Sequence, residues 1–273
     1  MALTRQVVST LQDDGTDVMG PDTLAWHYPE QNLVSGSLLT VEANHFAVLK
    51  SRGAVLGTYD TGQYPIQTPD KPLIGGFVTG FFGGNSPWQY EVLYVNRAKL
   101  LIRNTGIASS AEMAEMSYQV EYYIHVDTKD DALKLTTHMP FSGHVIGSEE
   151  VARYAGPVVE QAINQVIQVT PMEQINEHIH DIVELVKEHL ASFLGVYGIT
   201  LNDAKVLILP KDERMRELIS LRAFGLSELD AVRYYVALKM AEKGLVSAPN
   251  MAVGQPFVIG GQTMGTFPVP GAD

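Results

Sequence analysis

"MSYQVEYYIHVD", Met116 to Asp127, alternates apolar and polar residues, so Tyr118, Val120, Tyr122, Ile124 and Val126 share one face. A period of two marks a strand with one buried side. Upstream, "LLTVEANHFAVLK" (38–50) and "WQYEVLYVN" (88–96) repeat the pattern in shorter pieces. Turn signals separate them at Arg52-Gly53, Thr61-Gly62, Thr68-Pro69-Asp70 and Asn104-Thr105-Gly106. The chain therefore reads as β from Leu24 to about Val126. Residues 2–12 suggest a short amphipathic helix, with Leu3, Val7, Val8 and Leu11 on one side, and Asp13 to Pro21 is a polar break.

Downstream the period lengthens. Ser148 is placed to cap a helix reaching Gln168, with Glu149 and Glu150 at its positive end. Its stripe is Val151, Ala155, Val158, Ala162 and Val166, and Pro157 predicts a kink. "TPME" predicts a second helix, with Thr170 as cap, Pro171 in the first position and Glu173 closing a capping box. Met172, Ile175, Ile179, Ile182, Val186, Leu190 and Phe193 give it a continuous seam, ended by Gly195 and Gly198. "GITLNDAKVLILP" (198–210) returns to a strand, and "KDERMRELISLRAFG" is a charged helix. Ser227 caps a last helix through Lys243, with Leu229, Val232, Val236 and Met240 predicted to face inward and Gly244 past its end. The class is α+β. The tail, 248–273, is rich in Gly, Pro and Met and carries no charge before Asp273. No solenoid period repeats.

Composition narrows the function. The 273 residues are enough for one large domain or two small ones. A net charge of −12, with only 19 Lys and Arg spread thinly, argues against nucleic acid as a partner, because duplex binding needs clustered cations. The absence of cysteine excludes disulfides, thiolate metal sites and cysteine nucleophiles. The opening "MALTRQVVSTLQDD" lacks the apolar core of a signal peptide.

"LIGGFVTGFFGG", Leu73 to Gly84, has no charged residue. It is about half the ~20 apolar residues a membrane span needs, and each glycine weakens it as a helix by roughly 1 kcal/mol. Phe77, Phe81 and Phe82 therefore plug a local core, or form an exposed contact patch for a membrane or another subunit.

No constellation reads as catalytic. "HIH" (178–180) falls within the expected helix, which places His178 and His180 about 200° apart. It also lacks the H-E-x-x-H spacing. His27, His45, His125, His138, His144 and His189 show no ligand spacing, although strands can gather distant histidines into a cupin-like metal site. That enzyme is the rival reading. "GGFVTGFFGG" matches neither a phosphate loop nor a dinucleotide fingerprint, and there is no G-x-S-x-G elbow. Asp13-Asp14 and Asp130-Asp131 read as turns and caps. No catalytic residue, cofactor or metal is expected. What remains is association, with the 172–193 seam packing on the chain's own sheet or continuing between subunits.

The order of motifs carries a resemblance. "LAWHYPEQNLVSGSLLTVEANHFAVLKSRGAVLGTYDTGQYPIQTPDKPLI" resembles the opening of the SPFH (band 7) family of stomatin, prohibitin and flotillin. Arg52-Gly53, Thr61-Gly62-Gln63-Tyr64 and Thr68-Pro69-Asp70-Lys71-Pro72 hold the places of its characteristic turns, with Thr61 where a proline is usual. "GGNSPWQYEVLYVN", "YGITLNDAKVLILPKDERMRELI" and "AFGLSELDAVRYYVALKMAEK" are similar to the bacterial branch labelled virion-core-protein-like. The likeness runs from about 24 to 265. Many relatives carry an N-terminal membrane hairpin or a long coiled coil, and neither is written here.

The resemblance implies an SPFH domain and a non-enzymatic scaffold that assembles side by side into rings or cages. It implies a β-rich first subdomain at 24–147 after an N-terminal segment (1–23), and a second of helices and strand at 148–210. A helical extension (211–247) and the tail (248–273) follow. The expected partners are further copies, with a membrane surface or membrane-stress proteins as additional candidates, and the expected location is cytoplasmic, either free or peripheral at the inner face of the cell membrane. The expected subunit contacts are Ile175, Ile179, Ile182 and Val186, then Leu229, Val232, Val236 and Met240. Phe257 and Ile259 join them through "QPFVIGG" (255–261), an added strand pinned by neighbouring copies.

Overall fold

A computed structural model describes residues 6–12, 14–29, 33, 37–51, 53–66, 90–141, 143–223, 225–243, 256–259 and 262–266. Phe77, Phe81 and Phe82 lie outside them.

The largest sheet has five strands in the order β10-β2-β7-β4-β5, every pair antiparallel. They are β2 (Thr23–His27), β4 (His45–Ser51), β5 (Ala54–Tyr59), β7 (Tyr90–Asn96) and β10 (Val145–Gly147). Strand β7 is central and buried on both faces, which explains why "EVLYV" reads as an almost unbroken apolar run. Ala47, Leu49, Tyr90, Val92 and Tyr94 meet one cluster, and Phe46, Val48, Leu93 and Val95 meet another.

The first cluster is closed by a small sheet, β1 (Val7–Val8), β3 (Leu38–Val41) and β6 (Gly62–Pro65), in the order β1-β3-β6. The expected helix at 2–12 is thus corrected where the chain is described. Val7 and Val8 pair in parallel with Leu38 and Leu39. Two β-branched residues suit a strand, and the Tyr94 hydroxyl lies 2.9 Å from the Val8 carbonyl and 3.0 Å from that of Thr40, able to donate to either. Burial pushes this phenol well above its ordinary pKa, so it remains a donor.

The second cluster continues into a three-stranded antiparallel sheet, β11-β9-β8, built from β8 (Leu100–Ser109), β9 (Glu115–His125) and β11 (Thr200–Pro210). The alternation at 116–127 is realised as β9, with Met116, Tyr118, Val120, Tyr122, Ile124 and Val126 all buried. Helices α1 (Lys129–His138), α2 (Ser148–Ile167) and α3 (Ile179–Val196) contribute the rest of this core. Sheet pairing places β8 and β9 with β11, while Leu24, Phe46, Val48, Leu93 and Val95 of the five-stranded sheet share one core with them. The register explains Gly106. It stands opposite Tyr118, whose ring occupies the space a side chain there would need. A polar relay crosses the same layer, with Tyr122 donating to Asn104 at 2.9 Å and Asn104 donating to the Ala152 carbonyl at 2.8 Å.

Helix α2 runs through Pro157, with Gly147, not Ser148, as its N-cap. The Glu150 carboxylate accepts the Gly147 N–H at 2.9 Å. Its buried side is Val151, Ala155, Val159, Ala162, Ile163 and Ile167, so Val158 and Val166 sit at the margin. Helix α3 begins eight residues later than Thr170 predicts, at Ile179 with His178 as its N-cap. The Thr170 hydroxyl donates back to the Val166 carbonyl at 2.7 Å, Pro171 is extended, and the Met172 N–H is taken by Glu112 at 3.1 Å. With those groups engaged elsewhere, the capping box does not form, and a short 3₁₀ turn, Met172–Gln174, fills the gap. Gly198 ends α3 in the left-handed region, φ +71°, against the backbone of Asp131.

Candidate functional site

Two helices follow the last long strand. Helix α4 (Glu213–Ala223) and helix α5 (Glu228–Glu242) are joined through Gly225 at φ +85°. They close on a small cluster of their own, Leu221, Leu226, Ala231 and Tyr234, with Tyr235 at its edge. Ser227 caps α5 as its sequence predicts, its hydroxyl accepting the Asp230 N–H at 3.3 Å.

The face of α5 is reversed from the expectation. Ala231, Tyr234 and Ala237 are buried. Leu229, Val232, Val236 and Met240 point away, with 59%, 49%, 47% and 37% of their surface exposed. The aromatic Tyr234 decides the orientation, because it buries more apolar area than any member of the aliphatic stripe. The outward stripe is flanked by satisfied charges. Arg233 lies 3.6 Å from Asp230, and Lys239 lies 3.1 Å from Glu217 and 3.2 Å from Glu242. These two carboxylates hold Lys239 above its ordinary pKa. A cleft of about 590 Å³ between the helices is lined by Asp212, Glu217, Tyr235, Lys239 and Lys243, among others.

The other expected contact residues fall elsewhere. Ile175, Ile182 and Val186 are wholly buried within this chain and Ile179 packs against the same core. The seam is used on the chain's own sheet, so Ile175, Ile182 and Val186 offer a neighbour no surface, while Ile179 is half-buried. Phe257 lies in β12 (Pro256–Ile259), as does Ile259. That strand pairs with β13 (Gln262–Thr266) of the same chain, and β13 lies alongside α5.

The histidines stay apart. His178 caps the start of α3 with Nδ1 3.2 Å from Asp181, and His180 is exposed in the first turn. His27 neighbours the rings of His144 and Phe141. His45 is buried, with Nε2 3.8 Å from Asp17, and burial outweighs Asp17 and Glu42 to hold its pKa below the ordinary value. Among the described residues no three His, Asp or Glu side chains are placed to hold a metal ion. Among the same residues no helix is long and apolar enough to cross a membrane.

Sequence reasoning missed one surface. The side of the β11-β9-β8 sheet turned away from the core carries Leu101, Ile107, Tyr123, Leu207 and Leu209, all exposed. Its signal was available, since "KVLILP" places apolar residues on both parities of a strand.

A family model described as SPFH domain-Band 7 family matches residues 25–225, from β2 to the turn between α4 and α5. No curated protein matches this chain.

Proposed function

The chain belongs to the SPFH domain-Band 7 family, and from that premise we propose that it is a non-enzymatic scaffold whose copies pack side by side into a large ring or cage. The observation that carries this reading is the outward stripe of α5. A helix that already buries Tyr234 and Ala237 on one side has no need, in an isolated chain, for Leu229, Val232, Val236 and Met240 on the other. Beyond the matched domain, that stripe is a handle for another copy. A heterologous contact of this kind closes into a ring or grows into a filament, and closure satisfies every contact. The tail serves the same purpose. There β12 and β13, which already lie beside α5, are pinned further by neighbouring copies.

The assembly is cytoplasmic, either a soluble cage or a ring peripheral to the inner face of the cell membrane. The uncharged stretch 73–84, with Phe77, Phe81 and Phe82, either rests in the membrane interface or seals subunits. Light scattering tests the central reading. Particles many times the 29.9 kDa of one chain are expected, reduced to single chains by Val232→Ser with Val236→Ser. A wild-type monomer at micromolar concentration overturns the scaffold. Liposome flotation of Phe77→Ser, Phe81→Ser, Phe82→Ser separates the two roles of the loop. Lost membrane binding with intact assembly assigns it to the membrane, and lost assembly assigns it to the subunit contact.

A further inference from the structure

The outward stripe of α5 needs an occupant, and the outer face of the β11-β9-β8 sheet has the matching properties. An antiparallel sheet with one solvated face ordinarily alternates, apolar inward and polar outward. Here the outward positions depart from that rule. Cross-strand register places Ile107, Ser117 and Leu209 in one row, then Thr105, Gln119 and Leu207 in the next. Arg103, Glu121 and Lys205 follow, and Leu101, Tyr123 and Asp203 form the far row. Leu207 is 54% exposed and Ile107 is 50% exposed. At the Leu209 end the surface leads into a cleft of about 440 Å³ that includes Ala114, Pro210 and Met215 in its wall.

Charge favours approach at this face. The chain carries a net charge of −12, which drives copies apart. The sheet face is close to neutral by comparison, because most of its ions are already paired, exposed Lys205 in the middle row excepted. Arg103 meets Glu121 at 2.7 Å, Lys211 meets Glu115 at 2.7 Å, and Asp203 meets Lys187 at 3.0 Å. The flanks of α5 are neutralised in the same manner. Bringing the two together buries apolar surface beside charges that are already paired, and the flexible stem of Lys205 lets its ammonium stay at the edge in water.

Size gives the third argument. The ten residues of β8 span ~33 Å and three strands are ~14 Å wide. The fifteen residues of α5 make a rod of ~22 Å, which fits along that face. Such a contact buries on the order of 900 Å² in total, below the ~1,200 Å² of a standard stable interface. A single pairing is therefore weak. It holds when each copy gives one helix and receives another, as in a closed array.

We propose that the outer face of the β11-β9-β8 sheet receives the Leu229–Met240 stripe of α5 from a second copy of this chain. This rests on the scaffold reading above and names the two surfaces that meet.

The chain has no cysteine, so single-cysteine probes report without background. Leu207→Cys and Val236→Cys copies, carrying different tags, are co-expressed and treated with a short thiol-to-thiol cross-linker. The expected product is the mixed dimer of the two tags, with neither variant cross-linking to itself. A Leu207→Cys self-product means sheet against sheet, a Val236→Cys self-product means helix against helix, and either overturns the pairing. Large particles with no cross-linked product overturn the pairing and leave the scaffold standing. Monomers overturn both. As a second measurement, Leu207→Glu with Leu209→Glu is expected to raise the concentration required for assembly at least tenfold while the far-UV spectrum is unchanged. Assembly at the wild-type concentration in that variant also overturns the pairing.

Discussion

Helices α3 and α5 carry the same kind of apolar stripe and meet opposite fates. In α3, Ile182, Val186, Leu190 and Leu194 are buried against the chain's own core. In α5, Leu229, Val232, Val236 and Met240 face outward while Tyr234 takes the inside. The difference lies in what each helix has to lean on. Helix α3 shares its core with α2 and β11, inside the domain matched by the SPFH family. Helix α5 lies past that domain and rests on α4 through a small cluster of four buried residues, with β13 alongside it. A stripe at helical spacing therefore certifies a sticky face, and the neighbourhood decides whether the same chain covers it.

The comparison breaks most readily in α3. Val186→Asp places a charge in a closed apolar core and is expected to unfold the chain, a loss above ~4 kcal/mol. The gentler Ile182→Ala should cost ~2–5 kcal/mol in a urea melt. Near-native stability in either variant would mean that the α3 seam is not the core element described here. Ser227→Ala probes the weaker arm. Losing the Asp230 N–H acceptor should cost about 1 kcal/mol, read as faster amide exchange in α5 with that in α3 unchanged. Equal acceleration in both helices would show that the arm and the domain unfold as one. The smallest effect belongs to the outward stripe. Val236→Ser should move the unfolding midpoint of the dissociated chain by less than ~0.5 kcal/mol, and a larger shift would mean that Val236 is buried by its own chain.

Acid sharpens the same contrast. Burial holds the His45 and His27 pKa values below the usual histidine value. The folded state then binds fewer protons than the unfolded state. The stability they contribute is full above the ordinary histidine pKa of about 6.5, and it is lost as pH falls through the lower folded values. Both residues lie in the five-stranded sheet, so denaturant melts stepped down from pH 7 should lose stability in the domain. Replacing His45 by Gln should flatten part of that slope. An unchanged slope would remove His45 from the account.

Much of this was legible. The runs at 88–96 and 116–127 become the strands Tyr90–Asn96 and Glu115–His125, the run at 38–50 divides into Leu38–Val41 and His45–Ser51, and the strand ending at Pro210 and the Ser227 cap stand where the residues place them. Other features were not, for identifiable reasons. Thr170, Pro171 and Glu173 spell a helix start, yet Val166 and Glu112, near or distant in sequence, claim the groups that the start requires. Val7 and Val8 suit a helix stripe or a strand equally, and Tyr94, 86 residues away, tips the choice. The sheet membership of β8 and β9 rests on pairing with β11, and no local pattern records it.

Local periodicity and capping chemistry, properties of residues a few positions apart, were sufficient to determine the α+β class, most of the elements and the existence of two sticky helices. Which side of α5 faces inward, which seam is used internally, and which sheet face is left bare depended on residues brought together from far along the chain. Burial is a competition among all the apolar surfaces of the folded chain. Its winners, Tyr234 over Val236 among them, are determined only when those surfaces meet.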